Sequence, residues 1–174
     1  EVLKNLSNDS LHYITSARQD NTYLVYVRAK GYIYKDTLIH IPNAAAELTY
    51  TIPLSALQKE MVLQLRNIQF DHNSSVLTPS SYAELDKLVK LMQDNPSMQI
   101  ELSAHTDDVG SEQYNLRLSQ QRGESVRKYL IRKGVDAKRI IAKGYGKNKP
   151  LVPNDSDENR AINRRVEFTI NEIE

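Results

Sequence analysis

The run Ala104-His105-Thr106-Asp107-Asp108-Val109-Gly110, followed by Asn115-Leu116-Arg117-Leu118-Ser119-Gln120-Gln121-Arg122, carries the residues best placed to do chemistry. Asp107 falls just after a predicted strand, in the loop before a long predicted helix. On that helix Asn115, Leu118, Ser119 and Arg122 recur at i, i+3, i+4 and i+7 and share one face. Val126, Tyr129 and Leu130 continue the stripe, which puts Arg122 on the core-facing side. A guanidinium on an apolar stripe needs an anionic partner, because an unpaired buried charge is costly. That partner is a protein carboxylate or a ligand. Arg122 on a ligand carboxylate and Asp107 on a ligand ammonium would together recognise an amino-acid head group, at about 1.5–3 kcal/mol per charge-assisted contact. Taken alone, the two residues read first as a structural salt bridge between loop and helix.

Other chemistries find less support. His72 and His105 with Asp71 and Asp107 could suggest a metal, but there is no His pair at i,i+4 and no signature of supporting ligands. No metal site is expected, and His105 is expected to satisfy hydrogen bonds at a strand end. Asp155, Asp157 and Asn159 have the spacing of the first calcium-loop positions. Arg160 then stands where that loop needs Gly, and Val166 where it needs Glu. The sequence has no GxSxG elbow, no cysteine nucleophile, no phosphate loop and no HExxH helix, and Ser119 has no histidine near it in sequence. No catalytic residue and no cofactor are expected.

The elements that position these residues fall into two stretches. Residues 11–57 read as strands: Tyr23–Ala29 is dense in β-branched and aromatic residues, Thr37–Ile41 is a second run, and Leu48, Tyr50, Ile52 and Leu54 alternate. Only the short Asn43–Glu47 stretch could be helical. From Val62 the pattern changes. Leu63, Leu65, Ile68 and Phe70 suit a strand. Thr78-Pro79 opens a helix, with Thr78 as N-cap, that Asn95-Pro96 stops. Met98, Ile100 and Leu102 form a strand with one wet face. A second helix runs from about Ser111 to Lys133 and ends at Gly134. Arg139–Lys143 is a strand broken by Gly144-Tyr145-Gly146, a loop covers 148–157, and Val166, Phe168 and Ile170 make the last strand. The order βαβαββ predicts an α+β two-layer sandwich over 61–174, preceded by a small all-β partial sandwich over 1–60.

Composition narrows the function classes. The 174 residues carry a formal net charge of +1, which argues against a nucleic-acid partner. There is no cysteine, and no stretch approaches the ~18 apolar residues of a membrane span. The chain opens on Glu1 and reads as a fragment whose targeting signal or lipid anchor would lie upstream.

The runs FDHNS, HTDDVGS, NLRLSQQR, GYGKNKP and NRRVEF, in this order and spacing, resemble the OmpA-like C-terminal peptidoglycan-binding domain over about 62–171. The resemblance implies that Asp107 and Arg122 grip the ammonium and carboxylate of meso-diaminopimelate. It implies that Asp71 and Asn73 of the FDxNS run, the loop from Thr106 to Gly110, Asn115 and Leu118 complete the pocket, and that Arg165 lies near it. Three departures from the family pattern are visible: Ala104 for Gly, Gly123 for Ala, and Asp-Asp at 107–108. The first stretch, YLVYVRAKGYIYKDTLIHIP, is similar to the end of a carboxypeptidase-regulatory-like β-sandwich and implies a spacer or a contact for envelope protein partners. The expected function is metal-free, non-covalent binding of the peptide stem of peptidoglycan, in the periplasm, with outer-membrane association through regions outside this sequence. The alternative is a scaffold module of an envelope or secretion assembly.

Overall fold

A computed structural model describes residues 18–43, 48–71 and 73–173. Residues 11–17 of the first expected strand stretch, most of the 43–47 stretch and His72 lie outside the described residues. The described residues form two compact units, one of 18–27, 35–43 and 48–54, the other of Arg28–Tyr34 and the chain from Ser55 onward.

The first unit is one antiparallel hairpin, β1 (Asn21–Val27) with β2 (Lys35–Ile41), in a register that sets Asn21 opposite Ile41 and Val27 opposite Lys35. Cross-strand pairs such as Tyr23 with Ile39 follow from the β-branched and aromatic residues read in the sequence. The alternation from Leu48 to Leu54 does not become a strand. Pro53 has no N–H to give a ladder, and the Tyr50 hydroxyl donates to the His40 carbonyl at 2.8 Å instead. Among the described residues a single two-stranded sheet gives the expected β-sandwich no support.

The second unit is a four-stranded mixed sheet packed against helices, the α+β architecture expected from the element order. Its strands are β3 (Val62–Leu65), β4 (Gln99–His105), β5 (Ile140–Gly146) and β6 (Val166–Glu172), in the spatial order β3-β6-β4-β5. β4 and β5 are parallel and the other pairs antiparallel. The helices are α1 (Tyr82–Asp94), α2 (Glu112–Arg132) and α3 (Asp157–Asn163). Leu85, Leu88 and Met92 from α1, Val126 and Leu130 from α2, and Ile100, Leu102, Phe168 and Ile170 from the sheet are buried in one core. The arginine Arg139 closes the end of α1, donating to the carbonyls of Met92 (2.8 Å), Asn95 (2.7 Å) and Met98 (2.9 Å).

Four local expectations change. Thr78 caps nothing with its side chain. A 3-10 turn, Pro79–Ser81, precedes α1, and Thr78 and Ser81 hydroxyls tie that turn to Gln69. β5 runs through Gly144-Tyr145-Gly146 rather than breaking there, with a register shift opposite Ala104 and His105. The outer face of β4 is not wet throughout, because Ser103 and His105 are buried as well. Between the expected 148–157 loop and the last strand the chain forms α3, capped by Ser156, whose hydroxyl accepts from Asn159 N–H at 3.1 Å.

Candidate functional site

The site forms where the carboxyl end of β4 meets the start of α2. Ser111 caps α2 by accepting from Tyr114 N–H (3.2 Å), and the helix buries Asn115, Leu118, Ser119, Val126, Tyr129 and Leu130 on the face that the spacing defined. Thr106 is buried, with its N–H on the Gly146 carbonyl (2.9 Å) and its hydroxyl on the Asp107 carbonyl (2.9 Å). Asn115 is also buried, and its amide donates to the carbonyls of Val109 (3.0 Å) and Asp107 (3.4 Å). These two residues hold the 106–110 loop in place. Gly110 supplies its φ of +96°, a left-handed turn that a side chain would strain.

Asp107 and Arg122 do not form the salt bridge that the bland reading expected. Asp107 Oδ1 accepts from Val109 N–H at 3.2 Å, and Oδ2 stands 2.7 Å from Arg164 Nη1. Arg122 donates Nε–H to the Ser74 carbonyl (3.0 Å) and lies over the Phe70 ring, 5.0 Å from its centroid. Among the described residues no carboxylate pairs with it. Burial pushes the Arg122 pKa below its ordinary value, Tyr114 and Asp107 oppose that, and Arg164 adds to it. The FDxNS run therefore contributes the Phe70 ring and the Ser74 carbonyl. Asp71 and Asn73 lie in the same loop, where Asp71 N–H bonds the Val76 carbonyl (3.0 Å) and Asn73 takes a positive φ of 50°.

The Arg165 side chain takes partners other than Asp107, while its carbonyl accepts from His105 N–H (2.9 Å) at the end of β4, beside the site. It is buried beside the sheet, with Nε on Glu167 (3.0 Å) and Nη2 on the Lys149 carbonyl (3.2 Å). The neighbouring Arg164 is the one that reaches Asp107. Asn163, fully buried, fixes the turn by accepting from Leu151 and Val152 N–H and donating to Val152 and Asn154. Arg164 is the C-cap of α3 (φ −74°, ψ 79°), in a tight turn closed by Arg165 N–H on the Asn163 carbonyl (2.9 Å), and the two arginine side chains leave that turn toward different partners. A second ion pair, Arg160 with Asp108 at 3.3 Å, lies on the same rim and was not anticipated. Among the described residues no three His, Cys, Asp or Glu gather as metal ligands would. Ser119 is committed to structure: its hydroxyl donates to Leu116 O (3.0 Å) and accepts from Gly146 N–H (2.8 Å).

His105 does not satisfy hydrogen bonds at the strand end. Its ring stacks on Tyr145 at 5.4 Å, and Glu167 Oε1 is 3.3 Å from Nε2 but outside hydrogen-bond geometry, so both ring nitrogens lack a hydrogen-bond partner among the described residues. Burial first, and Arg165 second, lower its pKa from 6.5 to about 4, against the pull of Glu167. A folded pKa below the unfolded one means that the unfolded chain binds the proton more readily. Stability should therefore fall between pH 6.5 and pH 4, by up to about 3 kcal/mol, and this contribution should flatten below that. Urea unfolding at pH 7 and pH 4.5 checks it: a His105→Phe variant should lose less than the wild type over that interval.

Asp107 and Arg122, opposite charges that take separate partners at the β4–α2 junction, stand on a two-layer α+β domain. The OmpA family model matches residues 69–164, more than half of the chain, and this chain belongs to the OmpA family. It is 35% identical over 136 residues to outer membrane porin F of Pseudomonas aeruginosa, covering 78% of this chain and 39% of that protein. It is 35% identical over 104 residues to the peptidoglycan-binding protein ArfA of Mycobacterium tuberculosis, covering 60% of this chain and 32% of that one. Among solved structures, a putative MotB-like protein from Desulfovibrio vulgaris superposes with a TM-score of 0.59 at 34% identity, covering 65% of this chain and 73% of its own. The peptidoglycan-associated lipoprotein of Burkholderia pseudomallei gives 0.56 at 30% identity, covering 59% and 87%. The chain spans about a third of the length of these curated relatives. Among the described residues no helix is long and apolar enough to cross a membrane.

Proposed function

We propose that this chain binds peptidoglycan without breaking a bond, holding the diaminopimelate of the peptide stem between Arg122 and Asp107. The observation that carries the reading is the state of Arg122. It is a half-buried guanidinium with one donor on Ser74 O and no carboxylate partner among the described residues. Arg139, half-buried, and Arg165, buried, spend their donors on protein oxygens. A planar fork left with terminal N–H groups suits a ligand carboxylate, which it can take bidentately. Asp107, across the site, suits the ammonium on the same carbon. Thr106, Gly110 and Asn115 keep Asp107 in position, while Leu118, Asp71 and Asn73 shape the walls. The names of the relatives that bind or associate with peptidoglycan support the ligand class.

Binding at one such site is modest, and tethering then arises from the repeated ligand along the polymer. We place the chain in the periplasm, attached at the outer membrane through regions outside this sequence. The hairpin unit serves as a spacer or as a contact for envelope partners. Calorimetric titration with a diaminopimelate-containing tripeptide and a lysine-containing control tests the ligand assignment. Lysine lacks the second carboxylate, so saturable heat is expected from the first peptide and none from the second. Equal heats from both would sink the diaminopimelate assignment. No heat from folded protein with either would favour the scaffold reading.

A further inference from the structure

We infer that Arg164 is a built-in competitor for the ligand's cation, holding the position on Asp107 that the ligand ammonium needs. This rests on the peptidoglycan reading and concerns the same site. Asp107 has both oxygens engaged, one by Val109 N–H at 3.2 Å and the other by Arg164 Nη1 at 2.7 Å. Its side chain is 14% exposed, whereas that of Arg164 is 46% exposed, so the carboxylate is fixed inside and the guanidinium reaches in from the rim. Among the described residues the Arg164 guanidinium donates to Asp107, while the donors of neighbouring Arg165 are held by Glu167, Asn163 and Lys149. Arg164 can therefore leave without undoing other bonds.

The consequence for specificity follows from the exchange. A ligand that brings only an ammonium trades one cation on Asp107 for another and gains little. A ligand that brings only a carboxylate engages Arg122 and leaves the Asp107–Arg164 pair closed. One that brings both gains the Arg122 contact, and the freed, half-exposed Arg164 returns to water at small cost. Arg164 thus makes recognition of the ammonium conditional on the carboxylate, by raising the threshold against partial ligands.

The test titrates the diaminopimelate tripeptide and its lysine counterpart into wild type and Arg164→Gln. Removing the competitor should tighten the diaminopimelate peptide about threefold, the scale of a half-exposed ion pair. It should also let the lysine peptide, silent with wild type, produce measurable heat. A merely structural role would give neither gain. Equal or weaker binding of the diaminopimelate peptide by folded Arg164→Gln, with wild type still binding, would overturn the competitor alone. Absence of binding by wild type would remove the peptidoglycan reading and the competitor with it. Should the variant not fold, guanidinium NMR of wild type decides: the Arg164 Nη–H signals must shift when the peptide saturates the site, and unchanged signals refute displacement.

Discussion

Replacing Arg122 with Met is expected to weaken binding of the diaminopimelate tripeptide about 100-fold, with little change in stability. The loss combines the missing charge-assisted contact with a ligand carboxylate left against an apolar wall. Stability should hold because Arg122 costs the fold something already: burial is the leading cause of its lowered pKa, and no carboxylate offsets it at ion-pair distance among the described residues. Met fills similar volume and can lie on the Phe70 ring as the guanidinium does. Only the Ser74 carbonyl loses a donor. We expect unfolding free energies within about 1 kcal/mol of wild type. Arg139→Met is the control. It strips donors from three carbonyls at the end of α1 and should destabilise strongly without touching the site. If Arg122→Met unfolds as Arg139→Met does, Arg122 is a structural residue and the binding proposal loses its support.

The difference between these two arginines also marks what could be read in the sequence. The α2 face was legible because burial repeats with the helical period, and Arg122 falls on it between Leu118 and Val126. The loop from Thr106 to Gly110 was legible because a strand ends and a capped helix begins around it. Three things were not. The choice between Arg164 and Arg165 depends on where α3 ends, and α3 is only seven residues long, starting at the end of the 148–157 segment that reads as loop. Its signal was Ser156 followed by Asp157 and Glu158, an N-cap with acidic residues in the first turn. The burial of His105 depends on Tyr145, which only a β5 running through the glycines could bring alongside. The hairpin stopped at two strands because alternation from Leu48 to Leu54 says nothing about whether a partner edge is present.

The glycines of β5 carry the other large effect: Gly144→Ala is expected to cost on the order of 3 kcal/mol or more of stability. A Cβ at Gly144 would lie 2.2 Å from Gln120 N and 2.6 Å from Gln120 Cα. Both are backbone atoms of α2, so no rotamer change relieves the clash. The helix must lift from β5, breaking the Gly144 N–H bond to Gln120 Oε1 (2.8 Å) and the Gly146 N–H bond to Ser119 (2.8 Å). Because Asn115 and Arg122 ride on the same helix, binding should weaken even in molecules that stay folded. Gly123 supplies the contrast on the other side of this interface. A Cβ there would meet Ala142 Cβ at 3.5 Å and Ala104 Cβ at 3.8 Å, ordinary contacts. Gly123 and Ala104 thus face each other across the interface of α2 with the sheet. Gly123→Ala should gain about 0.5–1 kcal/mol from helix propensity and leave binding unchanged. Urea unfolding of both variants separates the cases. A Gly144→Ala protein as stable as wild type would mean that α2 does not sit this close to β5, and that the site geometry depends on something other than the glycine contact.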